Sequence, residues 1–446
     1  MSASSEYDVD YIRDQFSYLR GERATSICFD GVGGTQVPDT VIKAISDHLL
    51  IRNGNRGGIF YRSRLCDDVV SSTREILTEF INATDPAEII LGANFTTLTF
   101  NMSRALARTW GPGDEIVVSR LDHDANVSPW LSAAEDVGAT VRFCDIEDET
   151  CQLTTESLAE VLSPRTKLVA FCAGSSSIGA RPDTKALTKL AHSVGALVYI
   201  DAVAYAPHAS IDVQDWDADF IGCSGYKFLG PHIGFLWGRR ELLEMVDAYK
   251  IRPAPSTLPF KWENGAQPYE LMAGLKAAVE FVAHVGEKNP SYRKLFPTFT
   301  GRRLDIHAGM AAIEAYEEDL TWKFIAEIKK RPHFKIWGIT NYARRKERIP
   351  PIAVSIHGLR PDDLARHLDN HGIDVWSRTV YSISLSERLG LETPENRERR
   401  GGFIRICISL YNTQAEVDAL LHALDNLPSA LQSQIAVPRD LAGATA

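Results

Sequence analysis

Between Thr73 and Trp237 short apolar runs alternate with helix-like stretches, and no other pattern in the chain restricts its fold so tightly. The runs fall at 88–91, 115–119, 140–143, 167–171, 197–200, 220–223 and 234–237, and the helical stretches at 75–81, 98–108, 128–137, 155–162 and 185–194. Runs that are apolar at nearly every position bury both sides of a strand, and the helices between them supply the crossovers of a mostly parallel sheet. Gly138 and Gly195 stand where helix C-caps take glycine. The expectation is an α/β chain with a seven-stranded, mostly parallel sheet whose ligand lies at the C-terminal strand ends.

After Gly238 the texture changes. The proline-rich segment 252–259 reads as a connector, followed by helices at 269–285 and 302–330. Strands near 352–356, 374–376 and 403–408, with helices near 361–371 and 414–424, read as a smaller C-terminal α/β domain. A chain of 446 residues is long for one hydrophobic core. The expected organisation is an N-terminal segment 1–26 packing with the small domain, a large domain 27–300 and a small domain 301–446. The first segment reads as an amphipathic helix through Tyr11, Ile12, Phe16 and Leu19, and 38–50 as a second helix. Between them, residues 27–37 run from a strand into a glycine-rich turn that is not a Walker loop, because no Gly-Lys-Ser/Thr follows. Residues 387–402 read as a charged loop or short helix, and no internal repeat is found.

Composition excludes several functions. A formal charge of −10 with no basic stripe argues against nucleic acid or an anionic membrane as partner. The seven cysteines are scattered, with no Cys-x-x-Cys pair, so neither a metal site nor a disulfide framework is expected. The N-terminus lacks a basic region followed by an apolar one, and no apolar run reaches membrane-spanning length. The expectation is a cytoplasmic protein acting on a small molecule.

Several residues stand out chemically. Lys227 follows the strand 220–223 in Ser224-Gly-Tyr-Lys227-Phe-Leu-Gly-Pro231, between Tyr226 and Phe228. Most lysines are solvated; one desolvated among aromatic groups offers a neutral amine that attacks carbonyls, as a Schiff-base lysine does. Asp201 ends the strand 197–200, and a carboxylate there either caps a turn or meets a cation such as a protonated ring nitrogen. Thr96 and Thr97 open the helix after the strand 88–91; they either cap it or help bind phosphate at its N-terminus. His123, past the strand 115–119, is either a structural histidine or stacks on a flat cofactor. The loop 52–62 carries Arg52, Arg56 and Arg62, either solvated or reaching an anionic substrate.

Together these residues describe a pyridoxal phosphate site, and nearly the whole chain resembles the class V aminotransferase branch of fold-type I pyridoxal phosphate enzymes. That group includes cysteine desulfurases, isopenicillin N epimerase-like proteins and C–S lyases. The motifs that carry the resemblance are Asp201-Ala-Val-Ala-Tyr-Ala-Pro-His208, Ser224–Pro231 and Phe403-Ile-Arg405-Ile-Cys-Ile-Ser-Leu-Tyr-Asn-Thr413. The resemblance implies that Lys227 binds the cofactor and moves substrate protons, that Asp201 keeps its ring nitrogen protonated and that His123 stacks on the ring. It implies phosphate contacts from Thr96, Thr97 and Ser224, with Tyr226 and Ser176 also against the cofactor. Arg405 would pair with the substrate α-carboxylate, with Arg378, Arg56, Asn126, Trp376 and Tyr381 completing the substrate site. A homodimer with its active site at the subunit interface is implied as well.

The chain departs from the family pattern at five places. Ser176 replaces an asparagine and Ala204 a glutamine or histidine beside the cofactor's phenolic oxygen. Ala266 replaces a partner-subunit threonine that touches the phosphate, and Trp376 stands in for a second substrate arginine. Tyr381 lies about where sulfur-transferring desulfurases carry a mobile cysteine, which argues against a persulfide-forming enzyme. Cys407, on the same strand face as Arg405, is read as a buried core thiol instead of a substitute nucleophile. The expected activity is therefore β-elimination on a bulky S-substituted cysteine. The alternatives are epimerisation, transamination, oxidative decarboxylation or deamination, or a catalytically dead binding protein on the same fold.

Overall fold

The computed structural model describes residues 7–21, 24–379, 381–391 and 401–435. Its large sheet has seven strands in the order Ile89–Gly92, Gly234–Gly238, Phe220–Ser224, Leu197–Asp201, Thr166–Cys172, Glu115–Ser119 and Thr140–Cys144. Gly234–Gly238 pairs antiparallel with both neighbours, and the other pairings are parallel. Successive residues of a strand point to opposite faces. Accordingly Ile116, Val118, Leu168, Ala170, Tyr199 and Phe220 join one buried cluster, while Val117, Val169, Phe171, Val198, Ile200 and Ile221 join another. Away from the edge strand Thr140–Cys144, whose Thr140 and Arg142 are exposed, both faces are buried, which is why the central strands read as nearly unbroken apolar runs.

Helices cover both faces. Phe95–Ala107 and Ser128–Val137 lie on one side, the latter closed by Gly138 in the left-handed conformation. Tyr61–Phe80, Thr184–His192 and Tyr269–Lys288 lie on the other. The first of these begins about four turns before the 75–81 stretch expected from sequence, because Ser63, Cys66, Val69 and Val70 already bury one face of an arginine-rich segment.

A second, antiparallel sheet has the order Trp376–Arg378, Phe403–Ile406, Ile352–Ile356 and Phe334–Trp337, packed on Pro361–Asp369 and Gln414–Asp425 around its own core. The 28-residue helix Gly301–Ile328 carries buried residues in both cores. The N-terminal helix Val9–Arg13 is joined to the C-terminal part: Tyr7 stacks on Tyr316, its hydroxyl donates to the Leu410 carbonyl, and Phe16 meets both Phe281 and Tyr411 edge-on. The 387–402 stretch enters the described residues only in part: Ile383–Arg388 is helical, and 392–400 lie outside them.

One extended segment ties the two sheets together. Ile27–Cys28 pairs parallel with Ile373–Asp374, Asp30 bridges to Cys407, and the chain then turns through Gly31–Gly34 toward the C-terminal ends of the large sheet.

Candidate active site

The strand register aligns Cys172 with Asp201 and Asp201 with Gly222, so the parallel strands end together. Lys227 follows Phe220–Ser224 by one short turn, Gly225–Lys227, and reaches the same edge. Its ammonium donates to the carbonyls of Val32 and Gly33, the latter at 3.3 Å. Burial, and next the Arg405 guanidinium, lower Lys227 to about 7 against the opposing pull of Asp201, Cys407 and Asp30.

Asp201 is buried and accepts a 2.8 Å hydrogen bond from the Val203 amide; burial pushes it up to about 7 although that bond and Lys227 work the other way. The carboxylate therefore holds a turn and makes no ion pair among the described residues. Arg405 comes from the second sheet, donates to the Ser176 carbonyl at 2.9 Å, and is lowered to about 10 by burial. His123 accepts from the Ala125 amide at 3.0 Å through Nδ1, and burial followed by Lys227 and Arg405 takes it down to about 4, so the ring is neutral. Tyr381 lies across it, with ring centres 5.4 Å apart.

The start of Phe95–Ala107 completes this edge. Its cap is Asn94, whose side chain accepts from the Thr97 amide at 2.8 Å, so neither Thr96 nor Thr97 is the cap. The Ser224 hydroxyl accepts from the Phe95 amide at 3.1 Å. A Cβ on Gly234 would come within 2.6 Å of the Asn94 backbone, so glycine there lets the helix start rest on the strand. Tyr226 stacks on His232 at 4.6 Å, and Lys227 lies over its ring at 4.8 Å.

Three expected substrate residues do not join this cluster. Asn126 is buried, donating to Asp122 at 2.6 Å and accepting from Trp130 at 3.1 Å, so its amide is consumed in holding Asp122. The Arg378 guanidinium grips both oxygens of Asp362 at 2.8 to 3.1 Å; its φ of 77° breaks the extended geometry that would have carried it to the face of Arg405. Arg56 lies 3.7 Å over the Phe260 ring, lining a 290 Å³ cavity with Glu263 and Ala266 that Lys227 does not touch. Trp376, by contrast, pairs directly with Arg405 across the second sheet.

Sequence reasoning missed two carboxyls. Asp30, read only as part of a tight turn, is raised to about 6 by burial and then by Asp374, with Arg405 and Lys227 opposing. Asp122 is fully buried among Ser119, Asn126 and the Cys172 amide and pushed up to about 8 by that burial. An acidic residue directly before His123 was the available signal. Cys407 is buried with its sulfur 3.7 Å from His208 Nε2, and His208 Nδ1 lies 2.7 Å from Glu317.

The donor set fits pyridoxal phosphate. A buried carboxylate with no ion pair among the described residues, a neutral imidazole, a desolvated amine and a helix start with two exposed threonines meet at one sheet edge. Ser176 Oγ and Arg405 Nε are buried without a partner among the described residues, as donors held for a ligand are. Fold and site together define a fold-type I pyridoxal-phosphate-dependent enzyme. The chain matches the family Aminotransferase class-V over residues 27–294 and 303–420, and it belongs to that family.

Among curated proteins it is 28% identical to the aminotransferase-like protein FGM3 of Gibberella zeae, over 95% of this chain and 99% of that one. It is equally 28% identical to a probable cysteine desulfurase of Streptomyces coelicolor, over 94% of this chain and 97% of that one. The cysteine desulfurase CsdA of Escherichia coli superposes with a TM-score of 0.79 at 25% identity, covering 96% of this chain and 100% of that one. The family's cofactor is pyridoxal 5′-phosphate.

Proposed function

We propose that this protein is a C–S β-lyase that cleaves an S-substituted cysteine to a thiol, pyruvate and ammonia. The observation that carries the reading is the state of its thiols. All seven cysteines are buried and unbridged, and Tyr381 stands where a sulfur-accepting cysteine is expected. With no accessible thiol to take a bare sulfur atom, the sulfur leaves still bonded to its substituent.

Lys227, Asp201, His123, Thr96, Thr97, Ser224, Ser176 and Tyr226 are the residues that would hold the cofactor. When bound, pyridoxal phosphate supplies an electron sink conjugated to the substrate nitrogen. Arg405 fixes the substrate carboxylate with its guanidinium and so sets which Cα bond faces the lysine. Lys227 Nζ takes the Cα proton, and its lowered basicity suits that task near neutral pH. The Cα electron pair forms the Cα–Cβ double bond as the Cβ–S bond breaks, and the sulfur departs with the bonding pair and picks up a proton. Water then releases pyruvate and ammonia, which balances the reaction.

A homodimer belongs to the same reading. Leu50, Ile51, Ile59, Phe60 and Tyr61 are exposed, Ile59 to 96%, as are Met245, Tyr249 and Ile251 near the Arg56 cavity. Exposed apolar side chains grouped in this way support an interface, and sedimentation should give twice the chain mass. For the reaction, purified enzyme is incubated with S-alkyl cysteines, and thiol and pyruvate should appear in equal amounts. Recovery of the D isomer, or of a keto acid that retains sulfur, would replace the lyase by an epimerase or an aminotransferase.

A further inference from the structure

The geometry points to Trp376 as the specificity-determining residue of this site, selecting substrates whose β substituent carries a flat, uncharged ring. This rests on reading Lys227 and Arg405 as the amino-acid site, and it names what lies beyond the β carbon.

Trp376 and Arg405 are opposite one another in an antiparallel pair, so their side chains leave the sheet on the same face. The indole crosses to Gly33, where a Cβ would fall inside its pyrrole edge at Nε1. Gly33 is not in the left-handed backbone region, so its missing side chain is a matter of space: the indole lies on bare main chain. The carbonyl of that glycine is the one 3.3 Å from Lys227 Nζ. Arg405, Trp376, Gly33 and Lys227 are thus consecutive elements of one wall.

With its nitrogen edge turned to Gly33, Trp376 is still 46% exposed, so part of its ring system stays open to a substrate. Tyr381, 72% exposed beside His123, adds a second aromatic. A planar substituent stacked on such a ring gains offset-stacking contact as well as burial. Charged substituents are disfavoured for separate reasons. Arg378 is taken up by Asp362 and Arg56 lies over Phe260, and Asp30 and Asp374 lie together on the segment beside this wall, so an anion meets repulsion and neither of those two guanidinium groups. A cation would enter a pocket that already holds Lys227 and Arg405.

The test measures binding apart from chemistry. Lys227→Ala enzyme loaded with pyridoxal phosphate is titrated calorimetrically with S-benzyl-, S-methyl-, S-carboxymethyl- and S-(2-aminoethyl)-L-cysteine. S-benzylcysteine should bind at least about tenfold tighter than S-methylcysteine, and the two charged compounds no tighter than S-methylcysteine. Adding Trp376→Ala should shrink the benzyl-to-methyl ratio to within about threefold. Gly33→Ala, which displaces the indole, should shrink it equally, and Gly33→Ala with Trp376→Ala should do no more than Trp376→Ala alone. A ratio unchanged by Trp376→Ala, or a charged compound preferred over S-benzylcysteine, would overturn the inference. Trp376→Phe should keep most of the ratio, and losing it there as fully as in Trp376→Ala also counts against stacking. Parallel incubation of the wild-type enzyme with S-benzylcysteine reads phenylmethanethiol and pyruvate. A Trp376-dependent ratio without those products would leave the inference standing and remove the lyase, whereas no binding by any of the four would remove both.

Discussion

Lys227 is the group whose chemistry its surroundings displace most usefully, and the displacement is measurable without turnover. Its ammonium falls from 10.5 to about 7, a difference of 10.5 − 7 = 3.5, with burial the first cause and Arg405 the second. That corresponds to roughly 5 kcal/mol against the charged form, at about 1.36 kcal/mol for each pH unit. At pH 7 about half of the cofactor-free molecules then carry a neutral amine at this position, against roughly one in 3,000 for a lysine in water. The cofactor-free protein is pulsed with formaldehyde and cyanoborohydride between pH 5.5 and 10, and methylation of the Lys227 peptide is read by mass spectrometry. Exposed lysines in the same digest serve as the internal standard. Lys227 should reach half its maximal rate near pH 7, while the standards are still rising at 9. Asp201 titrates in the same range, so the wild-type curve belongs to the pair. Asp201→Asn removes an attracting anion and should move the midpoint down; Arg405→Gln removes a repelling cation and should move it up. A midpoint above 9, or a downward shift in Arg405→Gln, would refute the desolvated, Arg405-repelled amine.

Three other outcomes are expected. Asp122 keeps its proton up to about pH 8 in the fold but releases it near 3.8 when unfolded, so the folded state binds more protons between those values and stability falls as pH rises. Asp122→Asn should therefore flatten the urea-measured stability between pH 5 and 7.5 by up to about 1.4 kcal/mol per pH unit. Glu317→Gln strips the buried His208 of its anion; burial alone lowers that imidazole, yet Glu317 and Cys407 hold it up at about 10. The loss should be about 3–5 kcal/mol in urea denaturation, largely recovered by replacing both residues with apolar ones. Thr97→Val, which deletes a hydroxyl at the phosphate end, should weaken pyridoxal phosphate about tenfold in equilibrium dialysis, with the fold intact by circular dichroism.

The large sheet was legible because its central strands are buried on both faces, leaving runs such as 168–171 with nothing polar to blur them. The strand Phe334–Trp337 was missed for the opposite reason: it sits at the edge of the second sheet, and its side chains are half-buried or exposed. Lys227 and Asp201 could be placed because strand ends on a parallel sheet share one edge. Arg378 could not, since a single backbone angle decides whether its guanidinium faces Arg405 or Asp362, and nothing in Trp-Ser-Arg-Thr encodes that angle. The place of Asn126 was not legible because its partner Asp122, four residues earlier, carries no sign in the sequence that it is buried. The seat of Trp376 was hidden in Gly33, which read as one glycine of a tight turn and acts as a residue of clearance.

The segment that runs from Ile27 to Gly34 has a mechanical consequence. It is hydrogen-bonded to Gly372 and Asp374 at one end and to Cys407, two residues beyond Arg405, in its middle, and its far end supplies the carbonyls of Val32 and Gly33 that detain the lysine amine. The strand that carries Arg405 and the carbonyls that hold Lys227 Nζ are therefore parts of one hydrogen-bonded strip. A substitution that loosens this strip, at Cys407 or Phe29, would disturb the seat of the amine as well as the strand of the guanidinium.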